Sequence, residues 1–329
     1  MNNIGINMSK KFLLNTPEDN GYYLSYPQYT GHNRTDYPEP LVRVTAGEGG
    51  EAILILGSEK TGLYDCGMAC FSDKLIENIK CVFEGTGRKV DYIFLSHTHY
   101  DHVGALPYIL NEWPDAVVCA NAKAASVFSK PGAKATMERL GNNAKNLFGV
   151  KDVEITAEGL RVDMVLEEGD KISLGDEEVV MYEAKGHTDC SVCYYIMPHK
   201  ILFTNESTGV HVSPEFLYPS ILKSYQQTID TAEKLKKIDV KWVIAAHYGV
   251  LPQELNKSFF DRYIAEARKE RKIIMDAIAA GMTYEEILDE HKKVFWTEGR
   301  RRNHPFEAYR INAEATVKLT MKDYENGYI

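Results

Sequence analysis

Residues 96–110 read Ser-His-Thr-His-Tyr-Asp-His-Val-Gly-Ala-Leu-Pro-Tyr-Ile-Leu, and four of them, His97, His99, Asp101 and His102, are of types that bind metal ions. The run Tyr92–Leu95 just before them is short and apolar and predicts a buried strand. The apolar spacing after them predicts a helix from about His102 to Glu112. In an extended segment residues i and i+2 point the same way, so His97 and His99 converge on one ion. The turn into the helix then aims Asp101 and His102 at a second ion nearby. Imidazole suits Zn, Fe and Ni, and carboxylate extends the choice to Mn.

Outward from this segment, strands and helices alternate. LVRVT from Leu41, AILILG and TGLYDCG are short β-rich runs divided by Gly-rich turns. GEGG at 47–50 reads as a hairpin turn, since it lacks the GK[ST] ending of a phosphate loop. Ser72–Glu84 has helical spacing, and Ala116–Ala120 reads as a strand. Residues 121–150 look mainly helical, with Met137, Leu140, Ala144 and Leu147 in register. Strands and turns fill 162–184; Val192–Met197, Lys200–Phe203 and Trp242–Ala245 follow as strands, with a helix over Tyr225–Ile238. After Pro252 the pattern is helical only: Phe259–Ala280, then Met282–Val294 with a capping box from Thr283 and Glu286, then Phe306–Leu319. The expected organisation is an irregular arm over 1–40, a mixed domain over 41–252 and a helical extension over 253–329, a possible lid.

The segment HTHYDH resembles the HxHxDH signature of the metallo-β-lactamase superfamily. Three further motifs fall in the family's order at strand ends. They are Gly186-His187-Thr188, then Asn205-Glu206 after ILFT, then Ala246-His247-Tyr248-Gly249. The resemblance covers about 41–250 and implies an α/β fold, a four-layer αββα sandwich with an appended C-terminal helical region. It also implies a binuclear centre, with His97, His99 and His187 on one ion, Asp101, His102 and His247 on the other, and Glu206 shared. Glu206 stands where the family usually has Asp, one methylene longer, roughly 1.5 Å of reach against bonds that tolerate tenths of an ångström. Asp189-Cys190 stands where Pro-Gly is frequent, and Cys190, beside a strand, reads as packing. Tyr100, Tyr248 and His211 are the expected substrate contacts. The basic run Arg300–Arg302 is a candidate anion contact or a solvated loop.

Two divalent cations, Zn first and Fe, Mn or Ni otherwise, lower the pKa of a shared water and supply a bridging hydroxide at pH 7. With Asp101 as general base, this predicts hydrolysis of a small thioester, ester or lactone. The helical tail is laid out as in glyoxalase II-like and quinolone-signal thioesterase-like members. Alternatives are a phosphodiesterase of the same superfamily, an iron-dependent oxidoreductase and a metal-binding sensor without catalysis. Flavodiiron proteins typically carry Glu at the position of His99.

Composition narrows the classes further. The 329 residues carry 38 Lys and Arg against 47 Asp and Glu, a net charge of −9, which disfavours a nucleic-acid partner. No apolar run reaches the roughly 20 residues a membrane helix needs, and no signal peptide is read at the start. Six cysteines in a chain of this length do not make a disulfide framework. The expectation is a cytoplasmic protein with a small-molecule substrate, and a possible homodimer through the C-terminal helices.

Overall fold

The computed structural model describes residues 37–213, 216–297 and 306–328. The expected arm over 1–40 lies outside them except for 37–40, and so does the Arg300–Arg302 run. The chain forms two compact units. One holds the described residues up to Tyr182 together with Tyr194–His199; the other holds Glu183–Cys193 and the chain from Lys200. Among the described residues no helix is long and apolar enough to cross a membrane.

The first unit is built on a six-stranded sheet with strands in sequence order: β1 (Leu41–Arg43), β2 (Ile53–Leu56), β3 (Thr61–Tyr64), β4 (Tyr92–Phe94), β5 (Val117–Ala120) and β6 (Met164–Val165). The first three are antiparallel; β3 to β6 run parallel. Parallel neighbours need crossover connections, and helices supply them. They are α1 (Ser72–Phe83), α2 (Tyr100–Val103) with α3 (Leu106–Glu112), and α4 (Ala122–Phe128) with α5 (Pro131–Leu147). The helix expected over 102–112 is therefore two, divided at Gly104-Ala105. A Cβ at Gly104 would lie 2.6 Å from the Ala69 amide nitrogen, so the chain there passes as close as glycine allows. The 121–150 segment is also two helices, restarted by Pro131 at the first turn. Within the second of these helices Gly141 and Ala144 are the buried positions, and Leu147, expected in register, is its last residue and 57% exposed. The hairpin β7 (Lys171–Ser173) and β8 (Glu178–Glu183) follows. Strand β9 (Val192–Met197) carries the chain from one unit to the other.

In the second unit β10 (Ile201–Phe203) runs parallel to β13 (Trp242–Ala245), which pairs antiparallel with β14 (Gly249–Val250); β11 (Val210–His211) and β12 (Leu217–Tyr218) form a separate ribbon. Helix α6 (Tyr225–Leu235) crosses over between β10 and β13. After α7 (Gln253–Asn256) come α8 (Phe259–Ala279), α9 (Tyr284–Phe295) and α10 (Phe306–Glu325). The capping box expected at Thr283 and Glu286 opens α9. These last three helices share an apolar core with Val210 and Tyr218, built from Ile274, Leu288, Phe295 and Val317 among others. A polar chain crosses that core. Glu270 of α8 meets His291 Nε2 at 2.9 Å, and His291 Nδ1 meets the Tyr309 hydroxyl of α10 at 2.8 Å, all buried. One side chain from each helix thus fixes their mutual register. Removing the central member strands two buried polar groups, so His291→Ala is expected to cost about 3 kcal/mol. Urea unfolding measures this; a loss under about 1 kcal/mol would show the chain of bonds to be dispensable.

Candidate metal centre

The carboxyl ends of the parallel strands carry the candidate ligands, where α/β sheets commonly place their sites. Ser96-His97 follows the end of strand β4, and Asp65 follows the end of its parallel neighbour β3. Register sets these ends side by side, and the Asp65 amide donates to the Phe94 carbonyl at 3.0 Å. Asp65 is fully buried, in a left-handed backbone conformation (φ 48°) that aspartate tolerates. Its Oδ1 accepts the Ser96 amide at 2.7 Å and its Oδ2 accepts the Ser96 hydroxyl at 2.6 Å. The same Oδ2 lies 2.8 Å from His102 Nδ1. Burial raises the Asp65 pKa, and the His102 and Ser96 bonds oppose that shift.

These bonds decide the histidine tautomers. Ser96 has one hydroxyl proton and gives it to Asp65, so in its 3.0 Å contact with His97 Nδ1 the serine oxygen accepts. His97 therefore carries its proton on Nδ1 and its lone pair on Nε2. His102 likewise gives its Nδ1 proton to the Asp65 carboxylate and keeps its lone pair on Nε2. Ring centroids of His97 lie 4.6 Å from His99 and 4.2 Å from His102, and Asp101 Oδ2 lies 3.8 Å from His102 Nε2. The first unit thus gathers His97, His99, Asp101 and His102, as the spacing predicts. Gly50, within the GEGG turn, closes over them. Its amide donates to the Asp101 carbonyl at 2.9 Å, and a Cβ there would sit 2.5 Å from His102 Nδ1.

The second unit repeats the logic on β10 and β13. Phe203 pairs with Ile244, so Glu206 and His247, just beyond those ends, come together with His247 Nε2 2.8 Å from Glu206 Oε1. His247 takes a left-handed backbone (φ 57°). Asn205, the residue in the usual glycine position, caps the turn after β10: its Oδ1 accepts the Ser207 amide at 2.8 Å and its Nδ2 donates to the Val192 carbonyl at 2.8 Å. His187 Nδ1 donates to the Ser220 carbonyl at 2.7 Å, so its lone pair too is on Nε2. Gly186 before it has φ 134°, and a Cβ would fall 1.9 Å from Thr228 Oγ1, so α6 packs directly on this turn. Cys190 is buried and 3.3 Å from Thr188 Oγ1.

Of the expected substrate contacts, Tyr100 opens α2 and lines a cleft of about 260 Å³, partly open to solvent, with Ala69, Met137 and Ile155. Burial and then the Asp101 charge push its phenol pKa up. Tyr248 and His211 pack together in the second unit, ring centroids 6.0 Å apart. Asp65, Ser96, Ser220 and Gly50 are not among the residues the sequence reading singled out. Only Asp65 has a sequence signal, a polar residue ending the buried run TGLY as His97 ends YIFLS.

The sequence pattern of the metallo-β-lactamase superfamily matches residues 46–247. The chain is 24% identical over 233 residues to an acyl-coenzyme A thioesterase of Gallus gallus, covering 65% of this chain and 78% of that protein. It is 26% identical over 253 residues to a coenzyme F420H2 oxidase of Methanocaldococcus jannaschii, covering 68% of this chain but only 55% of the oxidase. The crystal structure of a metallo-β-lactamase family protein from Thermus thermophilus superposes with a TM-score of 0.62 over 87% of this chain and 94% of that one, at 15% identity. That likeness establishes the α/β fold.

Proposed function

We propose that this chain, which belongs to the metallo-β-lactamase superfamily, is a metal-dependent hydrolase acting on a small thioester, with esters and lactones as the neighbouring classes. The observation that carries the reading is the tautomer set. His97, His102 and His187 each commit Nδ1 to a fixed acceptor and keep Nε2 for a cation, the hallmark of metal-binding imidazoles. On this reading His97, His99 and His187 would hold one ion and Asp101, His102 and His247 the other, with Glu206 shared. Two divalent cations there, Zn first and Fe, Mn or Ni otherwise, supply an acidified water and polarise a carbonyl. Asp101 orients the attacking water and accepts its proton. Asp65 keeps the His102 ring in place, and no serine or cysteine nucleophile is required. The thioester class is favoured because the thioesterase is matched over more of its length than the oxidase.

The test is elemental analysis of protein prepared without added metal, with a thioester, lactone and phosphodiester panel. About two metals per chain and thioester turnover are expected. One iron per chain with oxygen-dependent oxidation and no hydrolysis would replace this reading by the oxidoreductase reading, which the similarity to the F420H2 oxidase makes the specific competitor. Glu206 gives a sharper check. Glu206→Ala is expected to lose at least one metal per chain, and Glu206→Asp to keep both. Equal metal content in the alanine variant would remove Glu206 from the ligand set.

A further inference from the structure

His211 is buried, and three features hold its ring. Its Nδ1 lies 3.2 Å from the Ser213 carbonyl, the Phe259 ring stacks on it at 5.6 Å and 15°, and Tyr248 leans on it at 6.0 Å. A carbonyl only accepts, so Nδ1 carries the proton and Nε2 is left as an acceptor. That nitrogen is buried and makes no hydrogen bond among the described residues. Burial holds the ring neutral, its pKa lowered to about 4; the Ser213 bond opposes this, and the Arg262 charge adds a smaller push in the same direction as burial. Buried acceptors in native proteins are almost always paired, and an exception points to a partner that arrives from outside. The position supports this. His211 follows Glu206 by five residues, and Tyr248, which touches it, adjoins His247.

We infer that His211 is a specificity-determining residue whose Nε2 accepts a hydrogen bond from an N–H or O–H group of the substrate. Resting on the thioesterase reading, this narrows the substrate to thioesters whose thiol half carries such a donor, an amide N–H near the sulfur being the simplest. An apolar alkyl thioester would leave Nε2 unpaired and bind worse. Selectivity of this kind is strong because the site penalises the analogue that lacks the donor.

The experiment compares butanoyl thioesters of N-acetylcysteamine and of 2-mercaptoethyl acetate, in which an ester oxygen replaces the amide N–H. The wild-type protein is expected to prefer the amide by about tenfold or more in kcat/KM, mostly through KM. His211→Phe keeps the stacked ring without the acceptor; it is expected to bring the ratio near one with metal content unchanged, and His211→Asn to restore part of it. No preference in the wild type, or a preference kept in His211→Phe, overturns the inference. A second measurement is independent of turnover and of folding of the variants. The ¹⁵N resonance of His211 Nε2 in the wild-type protein is expected to move on adding N-acetylcysteamine and not on adding 2-mercaptoethyl acetate. If no thioester is hydrolysed but this shift appears, the hydrolase reading fails and the acceptor role stands; if neither compound moves the resonance, the acceptor role fails.

Discussion

Replacing His99 by alanine is expected to remove one metal per chain and to lower hydrolysis by about 1,000-fold or more. The ring stands 4.6 Å from His97, at the residue where the extended segment gives way to α2. Alanine is compatible with the extended backbone of residue 99 (φ −72°, ψ 147°), so the fold is expected to survive. Circular dichroism and the urea midpoint should stay close to wild type while elemental analysis drops toward one ion. A variant that keeps both ions and full turnover would refute the ligand assignment. A variant that loses all its metal would mean that the two ions bind as a unit.

The centre was legible in the sequence to different depths. HTHYDH was readable because its chemistry is local, with four metal-binding side chains in six residues at a strand-to-helix junction. His187, Glu206 and His247 are single residues far apart in the chain, and it was their order at strand ends, a resemblance and not a spacing rule, that singled them out. Asp65 was missed for a physical reason. It meets His102 across 37 positions through the parallel pairing of β3 with β4, and which strands pair is a tertiary fact. Leu147 shows the same limit on a smaller scale. It keeps helical spacing with Met137, Leu140 and Ala144 but is the last residue of α5, and the buried positions of that helix are Gly141 and Ala144. Gly141 is buried because Ile155 packs on it, a Cβ there lying 2.8 Å from Ile155 Cγ2. Hydrophobic spacing has no means of choosing a glycine as a contact point.

Asp65→Ala is expected to weaken metal binding by about 10- to 100-fold and to reduce activity at limiting metal in the same proportion. The carboxylate holds two residues at once: Oδ1 accepts the Ser96 amide, and Oδ2 accepts both the Ser96 hydroxyl and His102 Nδ1. Its loss releases the His102 ring to rotate and to change tautomer. It also lets the Ser96 hydroxyl turn its proton toward His97 Nδ1, which would move the His97 proton to Nε2 and oppose metal binding there. One substitution therefore perturbs two ligands without touching an ion. Asp65→Asn separates these effects: its oxygen can still accept from one neighbour, so affinity is expected to fall less than in the alanine variant. Gly50→Val supplies an independent approach to the same ring, since a Cβ at Gly50 comes within 2.5 Å of His102 Nδ1 and must displace it from Asp65. Metal titration against a competing chelator gives the affinities, and excess metal is expected to restore activity in Asp65→Asn before Asp65→Ala. Unchanged affinity in both Asp65 variants would mean that packing alone positions His102, and the buried carboxylate would then be needed only for the junction of β3 and β4.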